Sequence, residues 1–253
     1  MIIYNKKLNE KNIQELIEKI KTGKYTEINE SIIKKEIIKE IKNQPNIIDK
    51  ITQKSVQTKI IKKIKTNLYR GIGMFNNQKS LKTHLSTKDR NYNTLNKAIN
   101  LIENHTPIQS VVDLGCGLNP LSFFKLNIQP EYICYEINEK YVQKINEFFN
   151  ENNIKGIAYS KDILTLSKLP NADLYLLLKL VDSIETKKGH KISETLINKI
   201  PSKYIIISFP TKTISGRPMN VPERRWIKLM MDRLGYKYEI ISDDNEIYYV
   251  ITK

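Results

Sequence analysis

Residues 111–120, VVDLGCGLNP, constrain the fold more than any other stretch of the chain. An apolar run ends in one aspartate, two glycines flank a cysteine, and Asn-Pro follows. The run reads as a buried parallel strand. The glycines let the backbone turn tightly at its C-terminal end, where a ligand can lie. The spacing approaches the dinucleotide fingerprint G-x-G-x-x-G, but the third glycine would fall at Pro120. Proline cannot give the close helix–strand contact that glycine allows there. The turn therefore reads as a site for a nucleoside without a pyrophosphate, with S-adenosylmethionine as the candidate.

Strand and helix patterns alternate on either side of this turn. Residues 110–114, 131–137, 155–160, 173–180 and 203–209 read as strands, with a helix over 138–150 and another over 223–234. Residues 236–242 and 246–252 read as a terminal antiparallel pair joined by Asp243-Asp244-Asn245. Such alternation predicts a mostly parallel sheet covered on both faces. The expected class is α/β: a Rossmann-like, class I S-adenosylmethionine-dependent methyltransferase fold with a seven-stranded sheet. Residues 86–103 read as a helix capped by Ser86 with Asp89, ahead of the breaker Pro107.

The first third reads as helices. Ile13, Leu16, Ile17 and Ile20 recur at helical spacing, with Gly23 as a stop. Ile28, Ile32, Ile33, Ile37, Ile38 and Ile41 form a second run, closed by Asn43 and Pro45. A third run holds Ile47, Ile48, Ile51, Val56, Ile60, Ile61, Ile64 and Leu68. Residues 70–80, rich in glycine and asparagine, read as a connector. Residues 1–80 are thus expected to form a helical domain and residues 81–253 a catalytic one.

Charge follows this division. The chain of 253 residues carries a net +15. Residues 1–110 hold 22 Lys/Arg against 10 Asp/Glu, and residues 111–253 hold 20 against 17. A basic segment joined to a near-neutral one suggests a polyanion-binding module on a catalytic domain. A lysine-rich solvated surface is the alternative. No stretch approaches the ~20 apolar residues that span a bilayer, and the N-terminus has no signal-peptide pattern. Cys116 and Cys134 make neither a disulfide framework nor a zinc site, and His84, His105 and His190 are scattered. A cytoplasmic protein with no metal is expected, with a monomer favoured.

Three acidic residues fall at expected strand ends: Asp113, Glu136 and Asp162. Glu136 suits ribose hydroxyls. Asp162 can accept from the adenine amino group while Ile163 packs on the ring. Cys116 and Ile137 lie in the same binding turns. Arg90 can grip the methionine carboxylate with its guanidinium fork. Lys179 stands at the end of the fourth strand, where it either snorkels to solvent or contacts a phosphate or the target nucleotide. Arg217, Arg224 and Arg225 suit an RNA-facing patch, or a solvated helix start. Trp226 suits base stacking or a place in the core.

HLSTKDR (84–90), VVDLGCGLNPLSFF (111–124), LLLKLVDSIE (176–185) and SFPTKTISGR (208–217) occur in that order. In these segments the chain resembles the aminoglycoside-resistance ribosomal RNA methyltransferases, which methylate guanine N7 in the small-subunit decoding site. The resemblance implies that Arg90, Gly115, Gly117, Glu136, Asp162 and Ile163 hold the cofactor and that Lys179 lies beside the reaction centre. It puts Lys212, Ser215, Gly216 and Arg217 on a loop facing the target base. It implies 16S rRNA in the small subunit as substrate. Guanine N7 attacks the sulfonium methyl with its own lone pair and loses no proton. No general base is then required, and catalysis rests on positioning and electrostatics.

Overall fold

The computed structural model describes residues 2, 3, 6, 7, 9–68, 87, 89–126, 128–185, 189–213 and 216–253. The connector at 70–80, His84, Ser86 and Ser215 lie outside the described residues. After a short antiparallel pair, Ile2–Ile3 with Lys6–Lys7, come helices α1 (Glu10–Ile20), α2 (Glu30–Asn43) and α3 (Lys54–Leu68). Asn9 and Asn29 cap α1 and α2, their side chains accepting from the N–H groups of Lys11 and Ser31. Ile13, Leu16, Ile17 and Ile20 of α1 are all buried, as their spacing predicts. They meet Ile33, Ile37, Ile41, Ile60 and Ile64 in a core separate from that of the sheet. Isoleucine is a modest helix former. Here burial on one stripe holds the helices together, while lysines take the outer faces.

The third apolar run is not one helix. Residues Pro45–Lys50 form a 3-10 turn and α3 begins only at Lys54. Pro45 ends α2 and opens this turn, and the run is broken at 51–53, between Lys50 and Lys54. Helix α4 (Tyr92–Glu103) likewise starts later than the Ser86/Asp89 reading, because Asn91 caps it through the N–H of Asn93.

The sheet holds β1 (Ser110–Leu114), β2 (Glu131–Glu136), β3 (Gly156–Ser160), β4 (Leu174–Leu178), β5 (Tyr204–Pro210), β6 (Lys237–Ser242) and β7 (Glu246–Thr252). Their spatial order is β3-β2-β1-β4-β5-β7-β6. The first five are parallel, and β7 runs antiparallel between β5 and β6. Short α5 (Pro120–Phe123) and α6 (Glu139–Glu151) join α4 on one face, where Ile99, Val111, Phe123, Ile145 and Leu176 pack together. Short α7 (Val181–Ile184), with α8 (Lys191–Lys199) and α9 (Arg225–Leu234), covers the other face through Val181, Ile197, Ile227 and Met231. Alternate residues of β1 serve the two cores, Val111 one and Val112 with Leu114 the other. The strand order reverses between β1 and β4, and such a switch point opens a ligand crevice at the C-terminal strand ends.

The helical bundle docks on the sheet beside the end of β2. Ile28 bridges Asn138, and the Asn29 N–H donates to the Ile137 carbonyl at 3.3 Å. Lys140 pairs with Glu27 at 2.6 Å, and Ile137 packs against the bundle core. No helix among the described residues is long and apolar enough to cross a membrane.

Candidate cofactor and catalytic site

The glycine turn follows directly from β1. Gly115 and Gly117 have φ of +64° and +55°, a region open to glycine at little cost. A Cβ on Gly115 would sit 2.6 Å from Leu180 Cδ1. The turn is pinned to β2 by the N–H groups of Gly115 and Cys116, which both donate to the Tyr135 carbonyl. Cys116 and Cys134 are buried free thiols that pack behind it, and burial pushes the Cys134 thiol up.

The three carboxylates stand at adjacent strand ends, as expected. Glu136 accepts from three backbone N–H groups: Gly117 at 2.9 Å, Ile137 at 2.8 Å and Asn138 at 3.0 Å. It thereby ties the glycine turn to the end of β2. Burial raises the Glu136 carboxyl above its ordinary range while these N–H bonds oppose the rise. A carboxylate has about four lone-pair sites, so one remains for a ribose hydroxyl. Asp162 caps the turn Ile163–Thr165 by accepting from Leu164 N–H at 2.9 Å. Its other oxygen accepts from Lys35 Nζ at 2.6 Å.

Asp113 is fully buried. Its Oδ2 accepts from Asn119 Nδ2 and from the Tyr132 hydroxyl, both at 2.8 Å. Its Oδ1 has no partner among the described residues. Burial pushes this carboxyl up to about 6 against Asn119, Tyr132 and Arg90, which favour the charged form. An orphaned buried carboxylate oxygen fits the cationic amino end of S-adenosylmethionine. The folded chain holds the Asp113 proton more tightly than the unfolded chain. This group's contribution to stability therefore falls as pH rises from the ordinary value of 3.8 through about 6. Asp113→Asn should flatten that window in pH-dependent urea unfolding, and it should weaken cofactor binding at pH 8. Retention of the wild-type slope between pH 4 and 6 would count against this assignment.

Arg90 and Lys179 converge on a carboxylate that the strand patterns do not single out. Glu246, the first residue of β7, is wholly buried. Arg90 meets it with Nε and Nη2, both at 3.1 Å, and Lys179 Nζ reaches its Oε2 at 3.2 Å. The Ser208 hydroxyl donates to the same carboxylate. Arg90 Nη1 donates to Asn119 Oδ1 at 2.9 Å, which continues the chain of contacts to Asp113. Arginine has five N–H donors, so Nη1 and Nη2 each keep one outside these bonds, with the Tyr92 hydroxyl also against the buried guanidinium. The Lys179 side chain is 7% exposed, so the snorkelling alternative does not hold. Its φ of +54° turns it inward, and its N–H donates to the Ser208 carbonyl. Burial lowers its pKa while Glu246 opposes the fall.

Beyond this centre, residues 211–213 and 216–219 are tied to one another, the Thr213 N–H donating to the Arg217 carbonyl and the Met219 N–H to that of Thr211. Lys212 bridges Pro218 in the backbone, and its Nζ donates to Asn245 Oδ1 at 2.7 Å. Arg217 and Arg225 are exposed. Arg224 is tied down instead, by Asp182 at 3.0 Å and by the Pro222 carbonyl at 2.7 Å. Trp226 stacks on His190 with ring centroids 3.8 Å apart and meets Phe209 edge-on, so packing is its role here. Among the described residues, no group of three His, Cys, Asp or Glu could hold a metal ion.

A seven-stranded, mostly parallel sheet with one antiparallel insertion and carboxylates at three neighbouring strand ends defines a Rossmann-like methyltransferase fold. Residues 74–250 match the family model described as Ribosomal RNA methyltransferase (FmrO), and the chain belongs to that family. A 16S rRNA (guanine(1405)-N(7))-methyltransferase of Proteus mirabilis is 29% identical over 187 residues, covering 69% of this chain and 64% of that protein. One of the same name from Micromonospora rosea is 24% identical, covering 70% of this chain and 65% of its own length. The matches span just under two thirds of these relatives. Among solved structures, the 16S rRNA methylase RmtB superposes with a TM-score of 0.73 at 18% identity, covering 98% of this chain and all of that one. The 16S rRNA methyltransferase RmtF in complex with S-adenosyl-L-homocysteine gives 0.69 at 17% identity, covering 96% and 98%.

Proposed function

We propose that the protein transfers a methyl group from S-adenosylmethionine to guanine N7 of 16S rRNA in the small ribosomal subunit. The row Asp113, Glu136 and Asp162, set around a positive-φ glycine turn, carries this reading. Asp113 Oδ1 would receive the amino end of the cofactor, Arg90 its carboxylate, Glu136 the ribose and Asp162 the adenine amino group. Gly115, Cys116, Gly117, Ile137 and Ile163 would line the site. The cofactor supplies a sulfonium methyl. The chain supplies position: Arg90, Glu246 and Lys179 hold one another rigidly, so no side chain there is free to act as a general base. Guanine N7 needs none. Lys179, buried on Glu246, would keep this network in place beside the reaction centre, and no negative charge develops on the base for it to stabilise.

Residues 1–80 would serve as the RNA-binding domain and residues 81–253 as the methyltransferase domain. Lys212, Ser215, Arg217, Arg224 and Arg225 would face the RNA, with Arg224 acting through its hold on Asp182. In support, the basic excess lies ahead of residue 111.

Labelled methyl transfer to purified small subunits tests this function. Transfer should vanish in Asp162→Ala. It should also fall about a hundredfold between ~50 and ~200 mM salt if roughly four phosphates are neutralised. Transfer indifferent to both changes would contradict the proposal.

A further inference from the structure

Asp162 and Lys35 form an ion pair between the helical bundle and the sheet, and it lies on the carboxylate proposed above for adenine. Asp162 Oδ1 is committed to the Leu164 N–H, which fixes the carboxylate without help from the bundle. The other oxygen, Oδ2, faces the bundle, and Lys35 Nζ sits on it at 2.6 Å. Lys35 lies in the middle of α2, whose opposite stripe is buried in the bundle core. Its own side chain remains 42% exposed, so it can swing into water without disturbing α2. Separate contacts hold the bundle to the sheet: Asn29 donates to Glu139 at 2.8 Å, and Glu27 pairs with Lys140.

We infer that Lys35 is an internal competitor for the cofactor: its ammonium holds and neutralises the carboxylate oxygen that the adenine amino group takes, and the cofactor binds more tightly once it leaves. This rests on the proposed placement of adenine at Asp162. A neutral amino donor meets a weaker acceptor when an ammonium already neutralises the carboxylate. Because Lys35 belongs to the basic bundle, the cofactor and the bundle are linked through this one oxygen, and whatever draws the ammonium away favours the cofactor. The pair is partly solvated, which bounds the effect.

The test is calorimetric titration of the full chain with S-adenosylhomocysteine. Lys35→Gln and Lys35→Met should each bind about two- to fivefold more tightly than wild type, the scale of a partly exposed ion pair. Lys39→Gln removes the same unit of charge one turn further along α2, where Lys39 pairs with Glu36. It should leave the affinity unchanged. Unchanged or weaker binding in both Lys35 variants would overturn the inference while leaving the proposed function intact. Equal tightening in Lys39→Gln would also overturn it, since general electrostatics would then suffice. Absence of binding to the wild-type chain would instead defeat the functional reading itself.

Discussion

Glu246→Gln should lower folding stability by about 3–5 kcal/mol, the cost of leaving a buried charge without its partner. Glutamine keeps the shape and a single carbonyl acceptor but loses the charge that balances Arg90 and Lys179. The two cations would respond differently. Lys179 can shed its proton, and burial already pushes it in that direction. Arg90 stays charged. Burial opposes its charge, Glu246 together with the Tyr248 and Tyr92 hydroxyls outweighs that burial, and its pKa ends above the ordinary value. The cost therefore falls mainly on Arg90. Lys179→Met should be far milder for stability, because it leaves the Arg90–Glu246 pair balanced, yet it should depress methyl transfer. Urea unfolding of both variants checks this. A Glu246→Gln loss under 1 kcal/mol would show that the pair contributes little.

Glu136→Gln should weaken S-adenosylhomocysteine binding roughly 10- to 150-fold, the loss of a charge-assisted bond worth about 1.5–3 kcal/mol. The wild-type carboxylate accepts N–H groups on both oxygens. An amide must point its NH2 at Gly117 N–H or at the N–H groups of Ile137 and Asn138, setting donor against donor. The first choice breaks the tie to Gly117 and the second the ties to Ile137 and Asn138, and in both the charged ribose acceptor is lost. Calorimetry at fixed pH reads the change. Wild-type affinity in this variant would mean that the ribose is held elsewhere.

Much of this was legible in the sequence because it is local. The strand at 110–114 and the final strand at 246–252 fall where apolar runs and turn residues put them. The acidic strand ends needed only the alternation of strands and helices. The polar centre was not legible, because it is assembled by topology. Glu246 reads as a strand boundary after Asp243-Asp244-Asn245. Only the antiparallel insertion of β7 beside β5 carries it to Arg90, 156 positions away, and to Ser208. Asn119 is visible in GLNP, but its bridge between Arg90 and Asp113 depends on helix α4 lying against that turn. Lys35 is one lysine among many, and its partner is 127 positions distant. The stop at Pro45 was written in the sequence, but the apolar spacing from Ile47 to Leu68 continued across 51–53 and masked the separate 3-10 turn.

The most direct measurement is borohydride–aniline cleavage of 16S rRNA taken from small subunits after incubation with the protein and S-adenosylmethionine. That chemistry breaks the strand at N7-methylguanine. A cofactor-dependent break at one guanine of the decoding site is the predicted result. Methyl incorporation without a break, or no incorporation into the subunit, would contradict it.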